Sequence, residues 1–363
     1  MNELSYIFEK MQTLLFPELN KMIGPLTEKE KSFTEMIELV KIEDYVTQED
    51  KKTGRPSKDK KSIARAFLLK SFYNLNTTKG LLELLKTNVS LRMLCCFESV
   101  SNVPSESTAS RVFAEFAEID LGEKVHTAII SRYHGEKIVG HISRDATAIP
   151  AREKGKTYSA TKEKQVKKVK GEKIKGEKLK EKTETVTHKQ REQSLEEMLN
   201  NLPIECDTGT KINSKGYKTS WKGYKLHLDT ADTGVPISAI ITSASVHDSQ
   251  AAIPLMEKTK NRVTNFYDLM DSAYDDINIK EHISSLGHVG IIDHNPRRGV
   301  KKKFEPATKI RYKERTTAER ANARLKDDFG CEKIRVKGFK KVSLHLMFSV
   351  IVLVGDQLLR LLQ

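Results

Sequence analysis

The sequence predicts an all-α N-terminal region followed by a mixed α/β domain. Apolar residues recur at helical spacing through the first third of the chain. From Glu136 the pattern changes to strand-like runs. Strands and helices then alternate as β … ββ α β α β α to the C-terminus, the order of a mixed sheet flanked by helices.

Leu4, Ile7, Phe8, Met11, Leu14 and Leu15 place helices within residues 1–55. The basic turn Lys51–Ser57 is a joint to a second helical region, 56–135. There Ile63, Ala66, Phe67 and Leu69, then Leu81, Leu82, Leu84 and Leu85, form amphipathic stripes broken at Asn74–Thr78. Val103–Thr108 holds a proline and several N-cap residues ahead of a helix at Ala109–Ala117. Short helices, polar turns and a capped helix carrying Arg111 suit a helix-turn-helix DNA reader, although any small helical domain shares that pattern.

In the α/β unit, 136–345, Lys137–Ile149 is a strand ending near Pro150, with Asp145 at its end. Residues 152–192 are dominated by Lys and Glu and hold too few large apolar side chains to bury a core. This is a solvated, partly helical insertion, equally suited to lie along a DNA backbone. Tyr217–Asp229 and Pro236–Ser243 are a strand pair joined by the turn Thr230–Gly234. Ser249–Lys260 is a helix capped by Asp248. Asn265–Asp271 is an apolar strand closing on a carboxylate, Ile277–Leu286 a helix, His288–Asp293 a short strand and Pro296–Lys303 a basic loop. Tyr312–Lys326 is a helix, rich in Ala, Arg, Leu, Glu and Lys. Val342–Leu362 is a last apolar helix packed on the sheet, with 346–363 as its own C-terminal unit.

Lys and Arg number 63 against 49 Asp and Glu, a net charge of +14. That excess points to a polyanionic partner, nucleic acid before membrane. Cys95, Cys96, Cys206 and Cys331 form no C-x2-C pair, which argues against zinc and demands no oxidising compartment. The N-terminus lacks the pattern of a signal peptide, and the apolar run Leu346–Val354 is too short to span a bilayer. A cytoplasmic location with no membrane partner is therefore expected.

On the helix Tyr312–Lys326, Tyr312, Arg315, Glu319 and Lys326 stand at offsets 0, 3, 7 and 14. At roughly 100° per residue they fall within about 60° of one another. A phenol, two cations and a carboxylate on one face suit a polyanion better than a core. Two further acids stand at strand ends, Asp145 and Asp271, so three carboxylates recur in order along the domain. Hard oxygen ligands on rigid elements are what Mg2+ requires, and two such ions can clamp an in-line displacement at a phosphodiester. Taken singly, Asp145 could cap a turn and Asp271 could pair with a lysine.

The spacing Y-x2-R-x3-E-x6-K resembles the signature of bacterial insertion-sequence transposases of the DDE class. His141–Asp145, Gly223–His227, Gly234–Pro236, Val246–Ser249 and the D-x-x-Y-D of Asp271–Asp275 resemble further stretches of that family. The likeness covers about residues 136–345, and more loosely 55–118. It implies an RNase-H-like mixed sheet flanked by helices. It also implies that Asp145, Asp271 and Glu319 are the catalytic and metal-binding triad, holding two Mg2+ ions with Mn2+ as a substitute. Tyr312, Arg315 and Lys326 would touch the DNA end. The implied activity is binding of terminal inverted repeats, cleavage at the element ends and joining of the 3′ hydroxyl to target DNA, by a homodimer associated with the nucleoid. The rivals are a nuclease of the same fold without strand transfer and an inactive or domesticated DNA-binding protein. Outside the signature, Trp221 is a candidate for stacking on an unpaired base or for packing. His247 and Asp248 belong either near the site or to a structural turn. Arg297, Arg298 and Lys301–Lys303 form a loop that faces phosphates or solvent.

Overall fold

The computed structural model describes residues 24–48, 57–135, 137–155, 184–212, 216–296, 300–332 and 334–362. The first expected helices, the joint at 51–56, most of the Lys-rich stretch and the loop residues Arg297 and Arg298 lie outside the described residues.

The helical region holds α1 (Glu28–Val40), α2 (Lys60–Phe72), α3 (Thr78–Thr87), α4 (Val89–Leu94), α5 (Glu106–Glu118) and α6 (Leu121–His134). Short helices need their free N–H groups satisfied, and Thr27, Asp59, Thr77, Asn88 and Ser105 each cap one. The Ser105 cap starts α5 three residues before the expected Ala109.

The sheet and its helices follow: β1 (Ile138–Pro150), α7 (Val186–Gln190), α8 (Leu195–Asn201), β2 (Asp207–Ile212), β3 (Lys218–Ala231), β4 (Pro236–Ser243), α9 (Asp248–Lys260), β5 (Thr264–Met270), α10 (Ile277–Ser285), β6 (Val289–Ile292), α11 (Pro306–Tyr312), α12 (Thr316–Asp327) and α13 (Phe339–Leu362). Strand order is β2-β3-β1-β5-β6, with β4 also on β3. β3 pairs antiparallel with β1, β2 and β4, while β1, β5 and β6 run parallel. One edge of β3 is shared, β2 taking Lys218–Gly223 and β4 taking Tyr224–Thr230. Gly223 sits at that change of partner with φ +150°, where a Cβ would lie 2.1 Å from the Ile149 carbonyl oxygen, so only glycine fits.

Each face of the sheet is covered by helices. On one face Ile149, Leu226 and Leu228 join Phe67, Phe113 and Phe348 in a core continuous with the helical region. On the other, Met270 and Tyr274 pack with Met198, Ile253, Met256 and Ile279 from α8, α9 and α10. This is the mixed α/β architecture expected, and it is the RNase-H-like fold.

α13 departs from expectation in two ways. It starts at Phe339, three residues before the expected Val342, and its 24 residues are long and apolar enough by length and composition to cross a membrane, unlike the run Leu346–Val354 alone. It is nevertheless an interior helix, with 78% of its apolar window buried. It packs chiefly among α1, α2, α5 and α6, touching β4 and α12 besides, rather than lying on the sheet. The rings of Phe67 and Phe113 lie 6.2 Å from that of Phe348.

Burial sets the acid sensitivity of the fold. Desolvation lowers His126 and His345 to about 3 and His227 to about 4. Each folded value is below the ordinary 6.5, so the unfolded chain takes up protons that the folded chain refuses. Their contribution is complete above pH 6.5 and declines as pH falls towards 4. Asp145, raised by burial to about 6, acts in the opposite sense, as do Asp229 and Asp271, which burial also raises, but the histidines lowered by burial outnumber them. Urea unfolding should therefore show stability falling over this range. In His345→Gln the slope should flatten by about 1.4 kcal/mol per pH unit, one proton's worth. An unchanged slope would contradict the assignment.

Candidate active site

Asp145 and Asp271 are brought together by strand register. β1 and β5 run parallel with Ser143 opposite Leu269. Two residues further along each chain stand Asp145 and Asp271, so the two carboxylates leave from level positions on neighbours spaced about 4.8 Å apart. Asp145 does not end its strand as expected. β1 runs on to Pro150 because β3 keeps pairing with it, Leu228 opposite Asp145 and Gly223 opposite Pro150. It is the β5 edge that stops, and Asp145 lies just past that stop, at the carboxyl end of the parallel pair. Asp271 follows the last residue of β5 and accepts a hydrogen bond from Ala273 N–H at 2.9 Å.

Glu319 comes from α12, which crosses this end of the sheet. The start of the helix is riveted to β1: Thr317 Oγ1 lies 3.0 Å from Ser143 Oγ and 2.7 Å from the Glu314 carbonyl. Ala318, Ala321 and Leu325 are buried beneath it, the two alanines being small enough to allow close approach to the strand. Arg315 stands between the acids. Its Nη1 is 3.8 Å from Asp145 Oδ1, and its Nη2 forms a short ion pair with Glu319 Oε1. Asn322, also buried, donates from Nδ2 to Asp145 Oδ2 at 2.9 Å. The two oxygens of Asp145 thus have different neighbours, an amide on one side and a guanidinium on the other.

The expected unbroken helix over Tyr312–Lys326 is not seen. α11 ends at Tyr312, a 3-10 turn covers Lys313–Arg315, and α12 begins at Thr316. Tyr312 packs on Phe304, ring centroids 4.8 Å apart, with the Arg315 guanidinium 5.9 Å from its centroid. Lys326 lies about two helical turns beyond Glu319. Its ammonium is lowered first by burial, and Cys331 and Lys211 of β2 also act on it.

Two negative groups in a dry place resist ionisation. Asp145 is raised to about 6, foremost by burial and further by Asp271, against the pull of Arg315 and Asn322. Asp271 is raised by burial too, opposed by the Ala273 N–H and Arg315 and assisted by Asp248. A hard cation would relieve this repulsion, and the carboxylate donor set fits Mg2+ or a relative. A cationic group, Arg315, already lies between two of the three acids. Among the described residues no three acidic, His or Cys side chains enclose a metal position as they stand.

The remaining predicted residues fall elsewhere. Arg111 is exposed on α5, donating to Thr108 Oγ1 at 3.4 Å. Trp221 on β3 donates from Nε1 to the Tyr224 carbonyl at 3.1 Å, and its ring covers Gly209 of β2, which is packing. Arg297 and Arg298 lie outside the described residues. The cap of α9 is His247, whose Nδ1 accepts from Ser249 N–H, not Asp248 as expected. Asp248 instead pairs with Lys225 at 2.8 Å. Sequence reasoning missed Asn322, Lys225 and Tyr274, a buried phenol raised well above its ordinary value by burial and then by Asp248, Asp145 and Asp271. Asn322 could have been found as a polar residue one turn after Glu319 on the inward side of its helix.

An RNase-H-like sheet with acids at the carboxyl ends of two adjacent parallel strands and a third on the crossing helix defines a class of phosphodiester-processing enzymes. Transposase DDE domain is the family that matches residues 140–354, more than half of the chain, and Transposase domain (DUF772) matches residues 18–115. The chain belongs to the DDE transposases of insertion sequences, enzymes of transposition that act on DNA and generally depend on divalent metal. No curated protein and no solved structure matches it.

The amide of Asn322 makes a testable contact. Asn322→Asp would set a third acidic group against Asp145 and should destabilise the fold by about 1–3 kcal/mol at neutral pH, the loss recovering in acid. Urea denaturation at two pH values measures it. Equal losses at both would mean that the Asp145 contact is not the cause.

Proposed function

We propose that this transposase binds the terminal inverted repeats of its element, cleaves DNA at the element ends and joins the freed 3′ hydroxyl to target DNA. What supports this is the parallel register that ends at Ser143 opposite Leu269, two residues before Asp145 and Asp271, with Arg315 bridging Asp145 and Glu319. Asp145, Asp271 and Glu319 would hold Mg2+, with Mn2+ as a substitute. Two such ions when bound would favour an attacking oxygen on one side of the phosphorus and a leaving oxygen on the other. The chain's own contribution is orientation and water exclusion. Asn322 fixes the turn of the Asp145 carboxylate, and Thr317 with Ser143 fixes the height of α12 over β1.

Tyr312, Arg315 and Lys326 would meet the phosphates of the element end. Lys211, on β2, extends the same cationic rim, since its charge acts on both Asp271 and Lys326. Arg111, exposed on a capped helix of the helical region, is assigned to DNA further from the scissile bond. Joining two ends calls for a pair of protomers, so the protein acts as a homodimer on DNA, in the cytoplasm with the nucleoid.

The test uses a donor duplex carrying the DNA that flanks the gene, with separate target DNA. The wild type should give strand-transfer products. Asp145→Asn, Asp271→Asn and Glu319→Gln should each lose about 10²-fold or more in cleavage, beyond what outer contacts are worth, and still retard the duplex in gels. Cleavage without joining would replace this function with that of a simple nuclease. Cleavage surviving all three changes would remove the site.

A further inference from the structure

Arg315 occupies a position that the proposed function requires a metal ion to enter. Its two terminal nitrogens reach Asp145 Oδ1 and Glu319 Oε1, one acid from the sheet and one from the helix. The other oxygen of Asp145 is taken by Asn322. The Asp145 oxygen left for a cation is therefore the one the guanidinium faces. A guanidinium and a divalent ion cannot both lie there, because each is held by the same two carboxylates and their charges repel.

Arg315 is also built to leave. Its side chain is 18% exposed and the paired Glu319 side chain 49%, so the contact opens to solvent rather than lying in a sealed core. It stands at the end of a 3-10 turn, next to the Tyr312 ring. Lys211 and Lys326 would help to draw a DNA backbone past it. A phosphate offers a guanidinium two oxygens in matching geometry, a replacement for the carboxylates it gives up.

We propose that Arg315 makes metal loading depend on DNA: without DNA its guanidinium stands in for the ion between Asp145 and Glu319, and a backbone phosphate of the element end draws it away. The proposal rests on the metal-binding role given above to these carboxylates. Its consequence is order. The protein alone binds divalent ions weakly and does not become a free nuclease, and an engaged DNA end is what completes the ion site. By linkage the effect is reciprocal, metal tightening the hold on the DNA end by the same factor.

Calorimetric Mn2+ titration of the full-length protein tests this without reference to activity, with and without a duplex carrying the flanking end. The duplex should tighten Mn2+ binding to the wild type by about 5–150-fold, the ordinary range of site-to-site coupling. Arg315→Gln, which removes the cation, should bind Mn2+ without DNA about as tightly as the wild type does with it, and the duplex should add little more. Arg315→Lys, which keeps the charge, should stay close to the wild type, and melting curves establish that both variants fold. Equal Mn2+ affinity of wild type and Arg315→Gln in the absence of DNA would overturn the proposal. Absence of Mn2+ binding in every sample, duplex included, would instead overturn the metal-binding role on which it rests.

Discussion

Two carboxylates on neighbouring parallel strands repel each other, and burial sharpens the repulsion. That unfavourable pair, Asp145 and Asp271, is what the surrounding structure is arranged to hold. It follows from register: Ser143 faces Leu269, and the acids stand two residues beyond on each chain. The strands cannot slip to relieve it, because β1 is fastened on its other side through the whole length of its pairing with β3. Behind the sheet, Arg144 ties the same strands together, its Nη2 2.6 Å from Asp229 Oδ2 and 3.5 Å from Asp268 Oδ1. A buried charge of this kind adds little net stability, but breaking it is costly, so it fixes one arrangement against others.

The second constraint is the seat of α12. Glu319 is useful only if its helix crosses β1 at one height. That height is set by Thr317 on Ser143 and by the small buried face of Ala318 and Ala321. The far end of the helix is anchored to α13 through Arg324 and Asp356, 2.7 Å apart. α13 in turn fills the interior of the helical region. One core therefore runs from the helices that precede the sheet to the helix that carries the third acid.

Much of this was legible in the chain. β4 has the bounds that its apolar run implied, and Asp271 falls just beyond β5, because an alternating or apolar run between turn residues leaves little freedom in where a strand stops. The three acids could be picked out in order, and the transposase family likeness stands. What could not be read was set by partners distant in sequence. β2, written Asp-Thr-Gly-Thr-Lys-Ile, has no apolar period and is a strand because β3 offers it an edge. The length of β1 past Asp145 likewise follows from β3. The break between α11 and α12 leaves no proline or glycine as a signal. The bridging of two acids by Arg315, and the grip of Asn322 on one of them, depend on how a helix docks on a strand far away in the chain.

The central claim is that Asp145, Asp271 and Glu319 form one cation-binding cluster. The most direct measurement is the anomalous difference density of Mn2+ in crystals of the protein with a bound element end. The account predicts density among the carboxylates of Asp145, Asp271 and Glu319, where the Arg315 guanidinium stands without DNA, with Arg315 moved onto the DNA. Ordered DNA with no Mn2+ density among these residues, or with Arg315 still between Asp145 and Glu319, would contradict it.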